Sequence, residues 1–175
     1  MPSDDDRPPC RRLTDFDSAD ANQQWLVVND DVMGGKSLGQ LSFGTGTLIF
    51  GGEINTDGGG FSSVRLPLQP QTLSNHDRIE FRARPDDRSY TLILDDDRPA
   101  RSRRVSHRAP IGFEPAGEWQ TVSVSFTDLF PAALGKPIDD LPFRKDLVTR
   151  MGVMISDATD GPFQLEIDWI ELCPR

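Results

Sequence analysis

The chain has 175 residues, enough for one domain whose core closes without help from a metal or a disulfide. Its 28 acidic residues against 19 basic ones give a formal charge of −9, which argues against a general affinity for nucleic acid or an anionic membrane surface. No apolar run approaches the ~20 residues that a membrane helix needs, so no membrane insertion is expected.

The chain opens on MPSDDDRPPC, acidic and rich in proline, without the pattern of a signal peptide or a mitochondrial presequence. Residues 1–12 are expected to form a flexible tail and residues 13–175 a single domain, with a cytoplasmic location. In that compartment Cys10 and Cys173, one near each terminus, are expected as free thiols, and the sequence leaves open whether they meet.

The first strand is expected at Trp25–Val28, within WLVVNDDVMGGKS. It breaks into Asn29, Asp30 and Asp31; Val32 and Met33 follow, then Gly34, Gly35, Lys36 and Ser37. Such a segment is either a tight turn or a loop built to hold something. Further strands are expected at Leu48–Phe50 and Phe61–Leu66, the latter preceded by the glycines Gly58, Gly59 and Gly60. Three glycines allow close approach of a backbone or ligand, but no helix pattern follows them, so a phosphate loop is not expected. Phe61 is read as a core side chain, with stacking on a sugar as the alternative.

In DRIEFRAR, Ile79, Phe81 and Ala83 alternate with Glu80, Arg82 and Arg84, the period of a half-buried strand. A turn at Pro85-Asp86-Asp87 leads to strands at Tyr90–Leu94 and Val105–Phe113. Asp95-Asp96-Asp97 and Asp139-Asp140 read as loop solubility rather than calcium ligands, because the EF-hand spacing is missing. The basic residues Arg101, Arg103, Arg104 and Arg108 read as a solvated face, with a local anion site as the alternative.

WQTVSVSF alternates again, and FTDLFPAALG offers a helical turn or two capped by Thr127 and limited by Pro131. Strands at Met151–Ile155 and FQLEIDWI complete the pattern, with Phe163, Leu165, Ile167 and Trp169 expected on one face. Trp25, Trp119 and Trp169 all fall on the apolar phase, which makes them core candidates and counts against sugar platforms. Many short strands punctuated by glycine and proline predict an all-β antiparallel sandwich with at most one or two short helical turns. His76 and His107 are the only histidines, and the usual marks of hydrolases, zinc enzymes and NTPases are absent. Neither catalysis nor a cofactor is expected, and the sequence says nothing of a metal.

Taken together, WLVVNDDVMGGKS, GGGFSSVR, GEWQTVSVSFTDLF and DGPFQLEIDWIEL, in that order, resemble the complex I intermediate-associated protein 30 family over about Phe16 to Leu172. The resemblance implies a galactose-binding-like jelly-roll β-sandwich, shared with many carbohydrate-binding modules. It also implies a protein partner: a non-catalytic module that holds and stabilises a respiratory-chain or other assembly subunit. A carbohydrate-binding module is the alternative. This chain carries Asp31 where the family often has glycine, and RARPDDRSY where it has RGDGR, so Arg84, Asp87 and Arg88 keep the charges without the glycines. An aromatic residue often seen in the family is replaced around His107.

In this fold the first core strand is followed by a sharp excursion, and NDDVMGG fits it. The side chains of Asn29 and Asp30 are expected to bond loop N–H groups, those of Val32 to Gly34 for Asp30. Val32 or Met33 folds back as an apolar plug, Gly34 and Gly35 supply backbone freedom, and Asp31 stays exposed. The residues expected to structure the loops or to bind are therefore Asn29, Asp30, Met33, Gly34, Gly35, Ser37, Gly59, Gly60, Phe61, Arg84 and Arg88.

Overall fold

The computed structural model describes residues 9–100, 103–115, 117–133, 136–139 and 141–175. The alternating strands pair into two antiparallel sheets. The first contains β1 (Arg11–Thr14), β3 (Leu38–Gly44), β4 (Thr47–Ile54), β6 (Arg78–Arg84), β9 (Gln120–Ser125) and β13 (Gly161–Cys173). Its order is β3-β4-β13-β6-β9, with β1 also paired to β13. The second contains β2 (Leu26–Asn29), β5 (Ser62–Pro67), β7 (Tyr90–Ala100), β8 (Arg103–Ile111), β10 (Phe130–Ala133), β11 (Lys136–Pro137) and β12 (Val148–Ile155). Its order is β11-β10-β8-β7-β12-β5-β2. This is the expected all-β sandwich. Among the described residues no helix is long and apolar enough to cross a membrane.

The apolar phase of each strand turns inward. Ile79, Phe81 and Ala83 of β6 meet Leu165 and Ile167 of β13, Leu48 and Phe50 of β4, and Val64, Leu92, Leu94 and Val153 from the opposite sheet, all fully buried. Phe50 and Phe163 pack edge to face at 4.9 Å. Trp25 is buried against Phe16, as expected of a core tryptophan.

Trp169 is not a core residue. The pairing of β13 with β6 skips between Ile167 and Trp169, so Ile167 opposes Ala83 while Trp169 opposes Arg82. Such a bulge shifts the side-chain phase by one. Ile170 and Leu172 become the inward residues, and Trp169 moves to the outer face, half-buried. Trp119 also departs from expectation: it precedes β9 and is only half-buried.

Two local elements differ from the sequence reading. FTDLFPAALG forms only a 3-10 turn at Phe126–Asp128, capped by Ser125, whose hydroxyl accepts the Thr127 N–H. Leu129 is extended (ψ 138°) and Phe130–Ala133 then pairs with β8 as β10, so pairing at the sheet edge overrides a weak helical signal. The α-helix that does form is the short α1 (Ala19–Asn22), with Ser18 accepting from the Ala21 N–H.

The termini are tied together. Residues 10–12, expected within a loose tail, are instead held: Arg11 and Arg12 pair with Leu172 and Glu171, and Cys10 is disulfide-bonded to Cys173. The expectation of free thiols is therefore overturned. The sequence separation of 163 residues conceals what the β1–β13 register makes adjacent. Residues 1–8 lie outside the described part.

Candidate functional site

Two glycine-bearing stretches, distant in sequence, meet around one carboxylate. Asp30 is fully buried. Its Oδ1 accepts the Ser37 N–H at 2.9 Å; its Oδ2 accepts the Gly60 N–H at 2.6 Å and the Phe61 N–H at 3.2 Å. Burial pushes the carboxyl pKa up, but the bonds from Ser37, Gly60 and Phe61 outweigh it and hold the group below its usual value. Glycine is required on both sides: a Cβ on Gly35 would stand 2.3 Å from Asp30 Cγ, and one on Gly59 2.5 Å from Oδ2.

The donors differ from those expected. Asp30–Met33 forms a 3-10 turn in which the Gly34 N–H bonds the Asp31 carbonyl and the Gly35 N–H bonds the Asp30 carbonyl. Gly34 closes the turn in the left-handed region at φ 84°, where a side chain would be strained. The turn uses backbone carbonyls for these N–H groups, so the Asp30 side chain is released to reach Ser37 and the start of β5. Asn29 works beside it: Oδ1 accepts the Gly39 N–H at 3.0 Å and the Ser62 hydroxyl at 2.6 Å.

The expected apolar plug does not form. Val32 is 72% exposed and Met33 60%, and Leu38, just beyond the loop, is 67% exposed. The turn buries only its first residue, Asp30, and leaves Val32 and Met33 on its outer side. Asp31 is exposed as expected. Phe61 is half-buried and is not among the side chains packed on the core.

The network runs on. The Ser37 hydroxyl donates to the Asn55 carbonyl and accepts the Asn55 N–H, and the Thr56 N–H donates to Asp160 Oδ1 at 2.7 Å. Asp160 belongs to the turn before β13, which Arg88 holds from beneath. Its Nε and Nη2 donate to the two oxygens of Asp157 at 2.7 and 2.8 Å; Nη1 donates to the Gly161 and Pro162 carbonyls, and Nη2 also to that of Thr159. The bond to Arg88 holds the Asp157 carboxyl below its ordinary value, and the same bond raises the Arg88 pKa. Asp86 accepts the Arg88 N–H, the Tyr90 hydroxyl and the Gln164 N–H. Asn29, Asp30, Gly34, Gly35, Ser37, Gly59, Gly60 and Arg88 thus join one scaffold of loops, and Met33 stands exposed on it.

Arg84 belongs to a different surface. On the outer face of the first sheet it pairs with Glu166 at 2.5 Å, and Arg82 with Asp168 at 3.3 Å. Both guanidiniums lie over the Trp119 ring, at 5.2 and 5.7 Å, and Arg12 lies over Trp169 at 4.8 Å. Sequence reasoning missed this array. Arg82 and Arg84 read as the polar phase of β6, but Arg12 falls in the expected tail and both tryptophans in the expected core.

Of the basic group, Arg101 lies outside the described residues, and Arg103 and Arg104 open β8. Arg108 lies on β8 near Arg65 and Asp95, and burial lowers its pKa. His107 is buried, its Nε2 2.9 Å from the Leu141 carbonyl oxygen and its ring beside Phe143. Asp30 and Asp157 each accept several hydrogen bonds that favour the ionised form, and through them each ties separate loop segments together.

The geometry agrees with the comparisons. The model of the family described as complex I intermediate-associated protein 30 matches residues 14–167. The mouse mitochondrial complex I intermediate-associated protein 30 is 27% identical over 84% of this chain and 51% of its own length. A probable counterpart from Caenorhabditis elegans is 26% identical over 89% of this chain and 52% of its own. The chain thus spans about half the length of these two relatives. Among solved structures, a family 11 carbohydrate-binding module from Clostridium thermocellum, in complex with a mixed-linked tetrasaccharide, superposes with a TM-score of 0.67. It is 16% identical, with 94% of this chain and 95% of that one covered. An agarase superposes at 0.65 with 13% identity, covering 96% of this chain and 25% of the enzyme. These likenesses establish the sandwich fold. The match over most of the chain establishes the lineage: this protein belongs to the complex I intermediate-associated protein 30 family.

Proposed function

We propose that the chain is a non-catalytic interaction module that binds and stabilises a protein partner during assembly, with the loop of Asn29 to Ser37 as its contact. The observation that carries this reading is the pairing of a rigid base with an apolar surface. Asp30 is buried and fully bonded, while Val32, Met33 and Leu38 stand 60–72% exposed on the segment it anchors. Exposed apolar side chains on a preorganised loop lose little conformational freedom when a partner covers them. The name of the mouse relative, which associates it with an intermediate of complex I, supports a respiratory-chain subunit as that partner. The test is affinity purification from the native cell with wild type and a Val32→Asp/Met33→Asp double variant. Respiratory-chain subunits should co-purify with wild type and fall at least tenfold with the variant. Equal recovery from both would reject the loop as the contact.

A carbohydrate-binding reading is favoured by one observation, the half-buried Trp119 and Trp169 on the outer face. Guanidiniums lie over both rings, which disfavours stacking on a sugar. Retention on a mixed-linked glucan column, lost in Trp119→Ala, would reverse the preference.

A further inference from the structure

We propose that Cys10, Cys173, Glu80 and Glu171 form, once the disulfide is reduced, a site for a borderline-soft divalent cation of the zinc class. The four come from β6, from β13 and from the residue just before β1. Glu80 and Glu171 are direct cross-strand partners in the β6–β13 register. Cys173 lies two residues beyond Glu171, on the same face of β13. Cys10 is bonded to Cys173, with the Cα atoms 4.2 Å apart. One ligand atom from each of the four lies within 4.8 Å of the other three.

A tetrahedral zinc site with thiolate and carboxylate ligands needs separations of roughly 3.3–3.8 Å between ligand atoms, given metal–ligand distances of about 2.0–2.3 Å. Small rotations of four side chains on fixed strands reach that spacing after the S–S bond is broken. Two thiolates select a zinc-like ion over magnesium or calcium.

The charges point the same way. Two carboxylates directly opposite on adjacent strands repel. Here each keeps one guanidinium: Arg12 Nη2 is 2.8 Å from Glu171 Oε1, and Arg78 Nε is 3.1 Å from Glu80 Oε1. In both pairs the arginine takes Oε1, which leaves Oε2 as the ligand atom. Two thiolates and two carboxylates carry −4; a divalent cation and the two arginines carry +4. The assembled group is neutral, and the arginines orient the ligands from outside.

The states exclude each other. A thiol reductant of the glutathione class supplies two electrons: the disulfide and two RSH give two cysteine thiols and RSSR. The cation then displaces both thiol protons to form two metal–sulfur bonds. In either state the start of β1 stays clipped to the end of β13, so the clip survives a change of redox compartment.

The test uses the full chain, reduced by a phosphine that is removed before anaerobic titration with cobalt(II). One equivalent should bind with the intense visible bands of a tetrahedral ion and a thiolate charge-transfer band, and zinc should displace it. The oxidised protein should show neither band. Glu80→Gln and Glu171→Gln should each weaken cobalt binding at least tenfold while keeping the charge-transfer band; Cys10→Ser should cut that band at least twofold, and Cys10→Ser/Cys173→Ser should abolish it. Zinc should also raise the melting temperature of the reduced wild type, a readout independent of any variant's folding. A reduced protein without the charge-transfer band, unchanged affinity in both glutamine variants, or no thermal shift with zinc would each overturn the proposal.

Discussion

The loop end and the outer face of the first sheet use similar residue types to different effect. At the loop end, Asp30 and Asp157 are buried or nearly so, and each is met by several donors fixed by the backbone or by one planar guanidinium. On the outer face, Arg82 pairs with Asp168 where both side chains are about 40% exposed. Water screens the second kind of pair, and such contacts contribute about 0–1 kcal/mol. Breaking the first kind strands charges and donors away from water. The difference teaches that position in the sandwich, more than charge itself, decides which ionic residues hold the fold.

The sharpest way to break this comparison is Arg88→Ala. Its side chain and that of Asp157 are only 12% and 13% exposed, and removal takes the guanidinium from three carbonyls and leaves Asp157 with backbone N–H donors such as that of Thr159. A loss of about 3–5 kcal/mol is expected by chemical denaturation, with little rescue in Arg88→Lys, which lacks the planar fork. A loss below about 1 kcal/mol would place this network with the surface pairs.

Asp30→Ala should cost about 3 kcal/mol, since charged-group hydrogen bonds contribute about 1.5–3 kcal/mol and the Ser37 donor is left buried. The pH dependence has a definite sign. The folded pKa of Asp30 lies below its unfolded value, so its contribution is complete above about pH 4 and is lost as pH falls through the folded value. Stability of Asp30→Asn should therefore fall less steeply than wild type below pH 4; equal slopes would show that the carboxylate is not so held.

Gly59→Ala tests the same clamp from the backbone side. A methyl group 2.5 Å from Asp30 Oδ2 must displace it, and a cost of about 1–3 kcal/mol is expected from overpacking. A neutral melting curve would show that the carboxylate is not seated against Gly59.

Trp169→Ala sharpens the other side. A fully buried tryptophan would cost about 3–5 kcal/mol on truncation, whereas a half-buried one capped by an arginine should cost under about 2 kcal/mol. A larger loss in thermal unfolding would return Trp169 to the core and contradict the bulge. The smallest effect is expected for Asp31→Gly, within about 0.5 kcal/mol, because the side chain is exposed and no structural role falls to it. A clear destabilisation there would mean that the turn depends on more than Asp30.

What the sequence by itself determined was most of the strands, though not β1, β3, β10 or β11, and their inward faces as far as the bulge in β13. Ile79, Phe81 and Ala83, or Phe163, Leu165 and Ile167, announce their burial because the period of two is a local property of extended backbone. The importance of Asp30 beside a glycine pair was also legible, since local chemistry favours such residues in tight turns. Only the tertiary structure decided which donors Asp30 meets, for Gly60 and Phe61 lie about thirty positions away along the chain and approach only when β2 pairs with β5. It likewise decided the fate of Trp169, because a one-residue slip in pairing reverses the faces without leaving a mark in the composition. The union of Cys10 with Cys173 rests on the same kind of cause: register between strands is a relation between distant segments, and spacing along one segment does not contain it.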